Sequence, residues 1–398
     1  MLGCEPAVEP PPELIYDREF PQIGYAGNTP GGRVGQFAAA LEDRSIRLEA
    51  DPVRGYLDAV LDALDIDASS QVLVFSRTSL QTRHIRPETP RAIYFNDDTY
   101  VAWIPGAPTL EIASFDPALG PVFYTLLQDD ASGRAIEREF GVCLRCHDTY
   151  GMSGGGVPRM LLGSGYTGTD GELVSHEAWI LTSQGTPFRS RWGGWYVTGQ
   201  HGEEVHLGNI VVEQAEDLQE LEALRVGNVD DLGSLFDTSA YLRPTSDIVA
   251  LMILEHQVEV QNLISRLHFE AAAGNSIDSH AAALLDAMLM LGAIAHRDTI
   301  EGDAEFVAQF VSRGPRDSAG RSLRDLDLQS RLFTYPLSYL IYSDAFQALP
   351  PAAKALVYQR LRQELNDPAA IDDPALTLSE RAAIIGILRD TLPEVLIE

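Results

Sequence analysis

Residues 244–272 read PTSDIVALMILEHQVEVQNLISRLHFEAA, and this stretch divides the chain into two characters. Thr245 or Ser246 is placed to cap a helix, and Val249, Met252, His256, Val260, Leu263 and Leu267 then recur at helical spacing to about Ala272. Downstream the same periodicity returns over residues 279–295, 304–311, 351–365 and 379–392, with short loops between, as in helical bundles. Residues 333–342 read as a buried aromatic run. Upstream the pattern differs. Asp51-Pro52 suits a helix start, followed by Val53, Leu57, Val60, Leu61 and Leu64. Short β-rich runs then take over at 71–75, 91–95 and 99–104, the last two flanking Asn96-Asp97-Asp98, a hairpin signal. Residues 110–113 and 122–126 read as further strands or short helices, and 210–212 and the Trp-rich run at 191–199 suggest more strands. The expected class is α+β: a mixed α/β half at 15–243, then an all-helical half at 244–398, behind a Pro-rich tether at 1–14. No repeat of fixed period interrupts this plan.

With 398 residues, 45% of them hydrophobic, the chain has ample material for a large core. Lys and Arg number 29 against 58 Asp and Glu, a net charge of −29. Such acidity repels phosphates, so nucleic acid and anionic membrane surfaces are excluded as partners. A partner protein with a basic face, or a small molecule, stays open. The best apolar run, 281–295, is interrupted by Asp286 and reads as a core helix, so no transmembrane span is expected.

The cysteines are Cys4, Cys143 and Cys146. Two of them stand in Cys143-Leu144-Arg145-Cys146-His147, the C-x-x-C-H pattern of covalent c-type haem attachment. Residues 131–142 just before it have helical character, and on a helix positions 143, 146 and 147 share one face. Two thiols on that face can add to the haem vinyl groups, and the next imidazole ligates the iron. A thioredoxin-like C-x-x-C would follow a strand and has no use for His147. A structural zinc site needs four ligands, which the neighbourhood lacks. A Cys143–Cys146 disulfide closes a strained loop. The segment continues with Ser153-Gly154-Gly155-Gly156-Val157-Pro158. From Cys143 to Leu161 it resembles the c-type cytochrome family. That resemblance implies that the carbonyl of Pro158 accepts from His147 and orients its ring. The run from Arg191 to Gly199 is similar to large bacterial proteins that carry one c-type haem, which brings no function with it.

A second axial ligand has candidates in Met152, Met160, His176, His201, His206 and His256. Five extended residues span at most about 17 Å, marginal for Met152 to round the porphyrin edge. His201 and His206 share a Gly-bounded stretch after the Trp-rich run, read either as a haem-facing loop or as a polar turn. His256 lies on an apolar helix face, where a histidine is usually satisfied in the core. An open sixth position is the remaining option. Arg189 and Arg191 are candidates to hold haem propionates, with an ordinary surface strand as the alternative. Arg77, Arg83, Arg86 and Arg91 with His84 form either an anion-binding face or local ion pairs. Glu255, Glu259 and Glu270 near His256 and His268 lack metal-binding spacing and read as a solvated face. Leu2-Gly3-Cys4 resembles the end of a bacterial lipobox, which makes Cys4 a candidate lipidation site ahead of the tether.

The expectation is a periplasmic monohaem electron carrier, possessing one covalent haem at Cys143, Cys146 and His147 and a basic-faced redox partner. The rival is a haem enzyme, peroxidase-like or acting on small nitrogen oxides, with His201 or His206 as acid/base beside an open site. A third reading is a haem-based sensor whose helical half binds a partner.

Overall fold

Asn96 closes the predicted hairpin: its side-chain oxygen accepts from the N–H groups of Asp98 and Thr99 at 3.2 and 3.0 Å. The computed structural model describes residues 20–128, 136–148, 156–175, 179–213, 226–366 and 376–397. Two helices, α1 (Arg33–Glu42) and α2 (Leu57–Ala63), lead into a six-stranded antiparallel meander in sequence order. Its strands are β1 (Val72–Val74), β2 (Arg91–Phe95), β3 (Thr99–Trp103), β4 (Thr109–Asp116), β5 (Gly120–Leu127) and β6 (Ile136–Arg138). The β4–β5 hairpin has the longest register, from Thr109 opposite Leu127 to Asp116 opposite Gly120. Gly120 takes a positive φ of 69° there, and a Cβ would press on Ser265 at 3.1 Å. A single helical turn, α3 (Leu144–His147), follows the sheet. Two small two-stranded pairings come next, from β7 (Gly163–Ser164), β8 (Thr167–Gly168), β9 (Ile180–Leu181) and β10 (Val211–Val212).

The helical half holds α4 (Ile248–Ala272), α5 (Asp278–Met288), α6 (Ala304–Ser312), α7 (Asp344–Gln347), α8 (Pro351–Asn366) and α9 (Leu378–Thr391). Every residue of α4 from Ile248 to Val258 is buried, so this part of the helix is covered all round and runs through the core. One hydrophobic cluster extends from Phe20 to Val395 without a break at residue 243. The fold class is thus α+β, with the sheet in the N-terminal half and helices mostly in the C-terminal half.

A buried polar row keys α4 to the sheet. Gln257 donates to the Asn96 carbonyl and the Tyr100 hydroxyl, both at 2.7 Å. Gln261 donates to the Asp97 carbonyl at 2.6 Å and accepts from the Tyr100 hydroxyl. Tyr339 donates to Gln257 from the other side. Buried amides are tolerated because each is hydrogen-bonded.

Several local expectations are corrected. Within residues 131–142, Ile136–Arg138 is a strand, not helix: it pairs with Tyr124 to Leu126 and so extends the sheet, and this pairing overrides a weak helical preference. The α4 cap is Asp247, whose carboxylate accepts from the Ala250 N–H at 2.7 Å, not Thr245 or Ser246. Asp51 accepts from the N–H groups of Val53 and Arg54, but the helix begins at Leu57 because Gly55, with a positive φ of 61°, breaks the turn first. The Trp-rich run contributes isolated bridges, Val74 with Trp195 and Thr198 with Asp247, rather than strands. No described helix is long and apolar enough to cross a membrane.

Candidate functional site

The C-x-x-C-H segment forms one turn. The Cys143 carbonyl accepts from the N–H groups of Cys146 and His147 at 3.2 and 3.1 Å, which puts 143, 146 and 147 on one side as their spacing requires. Both cysteines are free thiols; Cys143 is half-buried and Cys146 exposed. Burial, with help from Glu139 and Glu111, pushes the Cys143 thiol up to about 12. The His147 ring lies 4.5 Å from that of Phe123 on β5. Burial holds its imidazole below the usual histidine range, so it is neutral.

The Nδ1 of His147 lies 2.7 Å from the carbonyl oxygen of Arg159. A carbonyl only accepts, so Nδ1 carries the proton and Nε2 keeps its lone pair. The Arg159 N–H in turn bonds the His147 carbonyl at 3.0 Å. The orienting carbonyl is therefore that of Arg159, not of Pro158; buried Pro158 sets the backbone one residue earlier. The reason is the two-way backbone bond between the loop and the motif, which takes residue 159 opposite 147. Asn262 of α4 clamps the next residue, accepting from the Met160 N–H and donating to its carbonyl, both at 2.9 Å. Neither Arg159 nor Asn262 had a sequence signal of its own.

The other candidate residues are elsewhere. His256 is fully buried, with Nδ1 2.9 Å from Gln184 Oε1 and Nε2 2.8 Å from Ser338 Oγ, so both nitrogens are engaged and it is a core histidine, not a distal ligand. His206 accepts at Nδ1 from the Gly208 N–H at 3.0 Å, so its proton sits on Nε2, the tautomer opposite to the one a Nε2 metal ligand needs. That buried Nε2 has no hydrogen-bond partner, and the ring packs 5.3 Å from Trp192. His201 has Nδ1 2.9 Å from the Glu204 carbonyl, to which it donates, and its ring lies 4.7 Å from that of His206. The two histidines are buried against one another, while Gly202 and Glu203 between them form an exposed turn. Thr198, three residues before His201, bonds Ile248 at the start of α4, while Met160 is held at Asn262. Fourteen helical residues separate these anchors, about 21 Å at 1.5 Å each. No described contact joins His147 to His201, His206 or His256. Met160 directly follows the orienting residue and is held through its backbone by Asn262. Met152, His176 and Cys4 lie outside the described residues.

Arg191 is buried in an ion pair with Glu255 at 2.9 Å and donates to the carbonyls of Thr186 and Gln184. It is a structural cation rather than a propionate clamp. Arg189 is exposed on a one-turn 3-10 segment. Of the upstream cluster, Arg77 pairs with Glu172 at 2.9 Å and Arg91 with Glu111 at 3.3 Å, and Arg83 donates to His84. Glu255 and Glu259, expected on a solvated face, are instead buried and half-buried, because α4 runs through the core. Among the described residues no group of three or more His, Cys, Asp or Glu is arranged to hold a bare metal ion. Two free thiols and one oriented imidazole on a single turn suit a different acceptor: a metal that brings its own macrocycle.

No protein-family model matches the chain, and no curated protein or solved structure matches it either.

Proposed function

We propose that the chain is a monohaem c-type cytochrome acting in electron transfer outside the cytoplasm. The observation that carries this reading is the protonation pattern of His147, one turn from two unbridged thiols. Its Nδ1–H is spent on the Arg159 carbonyl, and no described group bonds Nε2. A bond of this kind fixes the ring and raises the basicity of the donor nitrogen. Cys143 and Cys146 would hold the haem through thioether links, each thiol adding across a vinyl group with its proton passing to the neighbouring carbon. A bound haem supplies one-electron redox chemistry. Phe123 packs the back of the imidazole, and the net charge of −29 steers the protein towards a basic-faced redox partner. Attachment of the thiols belongs to a periplasmic maturation route, and Cys4 fits a lipid tether there.

The second reading is a haem enzyme with an open distal position. It draws on the finding that His201, His206 and His256 are all packed away from the motif.

The test is expression alongside a c-type haem maturation system. The expected product carries the mass of one haem, survives acid extraction and shows a Soret band; His147→Ala keeps the mass and shifts the band. Bare polypeptide mass in correctly processed material overturns the proposal. Carbon monoxide then divides the two readings: an unchanged reduced spectrum supports the carrier, and a shifted one the enzyme.

A further inference from the structure

Beside residues 157–162 lies a cavity of about 480 Å³. Residues 181–183, one face of α4 and His280 of α5 complete its walls. Its volume falls within the range of small-molecule sites. Cys143, Cys146 and His147 are not among its lining residues, so it is separate from the C-x-x-C-H turn.

The charges around it are settled within the protein. Arg266 pairs with Glu270 at 3.3 Å, and His280 lies 4.0 Å from the same carboxylate. The Glu259 carboxylate feels the guanidinium groups of Arg191 and Arg159, and Arg159 is engaged in turn. An ionic ligand of either sign gives up its hydration here without meeting an unanswered charge. What the cavity does offer is an apolar wall, made by Leu162, Leu181, Val258 and Leu263, and one polar end. At that end the Ser183 hydroxyl accepts from the Gly185 N–H at 3.3 Å, and its own proton has no acceptor among the described residues. Glu259 accepts the Gln184 N–H on Oε2 at 3.2 Å, which leaves Oε1 without a donor among the described residues. The same bond keeps Ser183 and Glu259 together, because residue 184 directly follows Ser183. The polar end therefore presents one unused donor and one unused acceptor.

We propose that this cavity binds an uncharged alcohol with a medium-length apolar body. A hydroxyl is donor and acceptor at once, so a single head group serves both atoms. It donates to Glu259 Oε1 and accepts from the Ser183 hydroxyl, while the body lies on the leucines and Val258. A carboxylate head would meet Glu259 with like charge, and an ammonium head would join two guanidinium groups already there. The inference stands on the cavity alone and is independent of the haem reading.

The probe is 1-octanol, titrated calorimetrically into the full chain matured with haem and into the same chain produced without maturation. Saturable binding to both is expected. Octanoate and octylamine, ionised at pH 7, keep the chain length and change only the head; each is expected to bind at least about tenfold more weakly. Ser183→Ala removes the donor and is expected to weaken octanol about threefold or more, the worth of one hydrogen bond. Leu263→Trp on α4 and Leu181→Trp on β9 fill the space from two different elements, and each is expected to abolish binding. Urea midpoints establish that the variants fold; if neither tryptophan variant does, Ser183→Ala decides. Absence of saturable binding, or binding indifferent to every folded variant, overturns the site. Octanoate or octylamine binding as tightly as octanol overturns the uncharged head. Binding confined to the haem-free chain overturns it as a site for a free ligand, because the haem then occupies the space.

Discussion

Arg191→Ala tests the core electrostatics most directly. Arg191 and Glu255 are almost wholly buried, with side chains 4% and 2% exposed. The substitution removes a charge-assisted bond to Glu255 and donors to two carbonyls, and its guanidinium also lies 4.8 Å from the Phe188 ring centre. Breaking a buried pair from one side costs about 3–5 kcal/mol, because the other charge is left uncompensated. With an unfolding slope of about 3 kcal/mol per molar urea, that moves the midpoint down by about 1–1.7 M. The pH dependence sharpens the test. Burial already raises the Glu255 carboxyl, while Arg191 opposes the rise. Without Arg191 the folded-state value climbs further above the unfolded one. An acid raised in this way supports the fold while protonated and penalises it as pH rises through the folded value. The deficit of Arg191→Ala is therefore largest at pH 8 and shrinks towards pH 5. Urea denaturation followed by tryptophan fluorescence at both pH values measures it. A deficit below about 1 kcal/mol, or one that grows on acidification, refutes the reasoning.

Three further outcomes follow from the described contacts. His256→Leu orphans Ser338 and Gln184 and is expected to cost about 2–4 kcal/mol in urea denaturation while leaving the haem spectrum alone; a change of spin state contradicts the core role assigned to His256. Burial lifts the Asp247 carboxyl from 3.8 to about 6, so its contribution is fully present below about pH 4 and lost as pH rises through 6. Wild type should accordingly lose on the order of 3 kcal/mol between pH 4 and 7 relative to Asp247→Asn, and parallel stability curves count against this. Gly199 holds φ at 127° with the Glu301 carbonyl 2.6 Å from where a Cβ would stand, so Gly199→Ala is expected to cost at least about 2 kcal/mol by thermal denaturation; an unchanged melting temperature argues against that packing.

What the sequence made legible was whatever local pattern dictates. The hairpin around Asn96 appears where its turn residues put it, and the helices at 304–312 and 351–366 begin where their periodicity begins. The turn at Cys143 to His147 is likewise local, since its spacing alone aligns the cysteines with His147. What stayed hidden depends on distant partners. Ile136–Arg138 is a strand because β5 offers an open edge, and no window of residues around 137 contains that information. Arg191 looked available because Glu255 is 64 positions away. The tautomer of His206 turns on one backbone N–H, and that of His147 on a carbonyl twelve residues on, so imidazole roles were unreadable until the loops were placed.

The amide row on α4 has a consequence for the gene as well as the fold. Gln257 and Gln261 reach the very carbonyls that shape the 96–99 bend, so sliding the helix by one turn would strand all of these groups in a dry interior. A fragment ending near residue 243 would expose the sheet's covered side and the open ends of that bend. Deletion libraries should thus recover no foldable piece on either side of that point, and recombination with unrelated chains should tolerate crossovers in outer loops but not there.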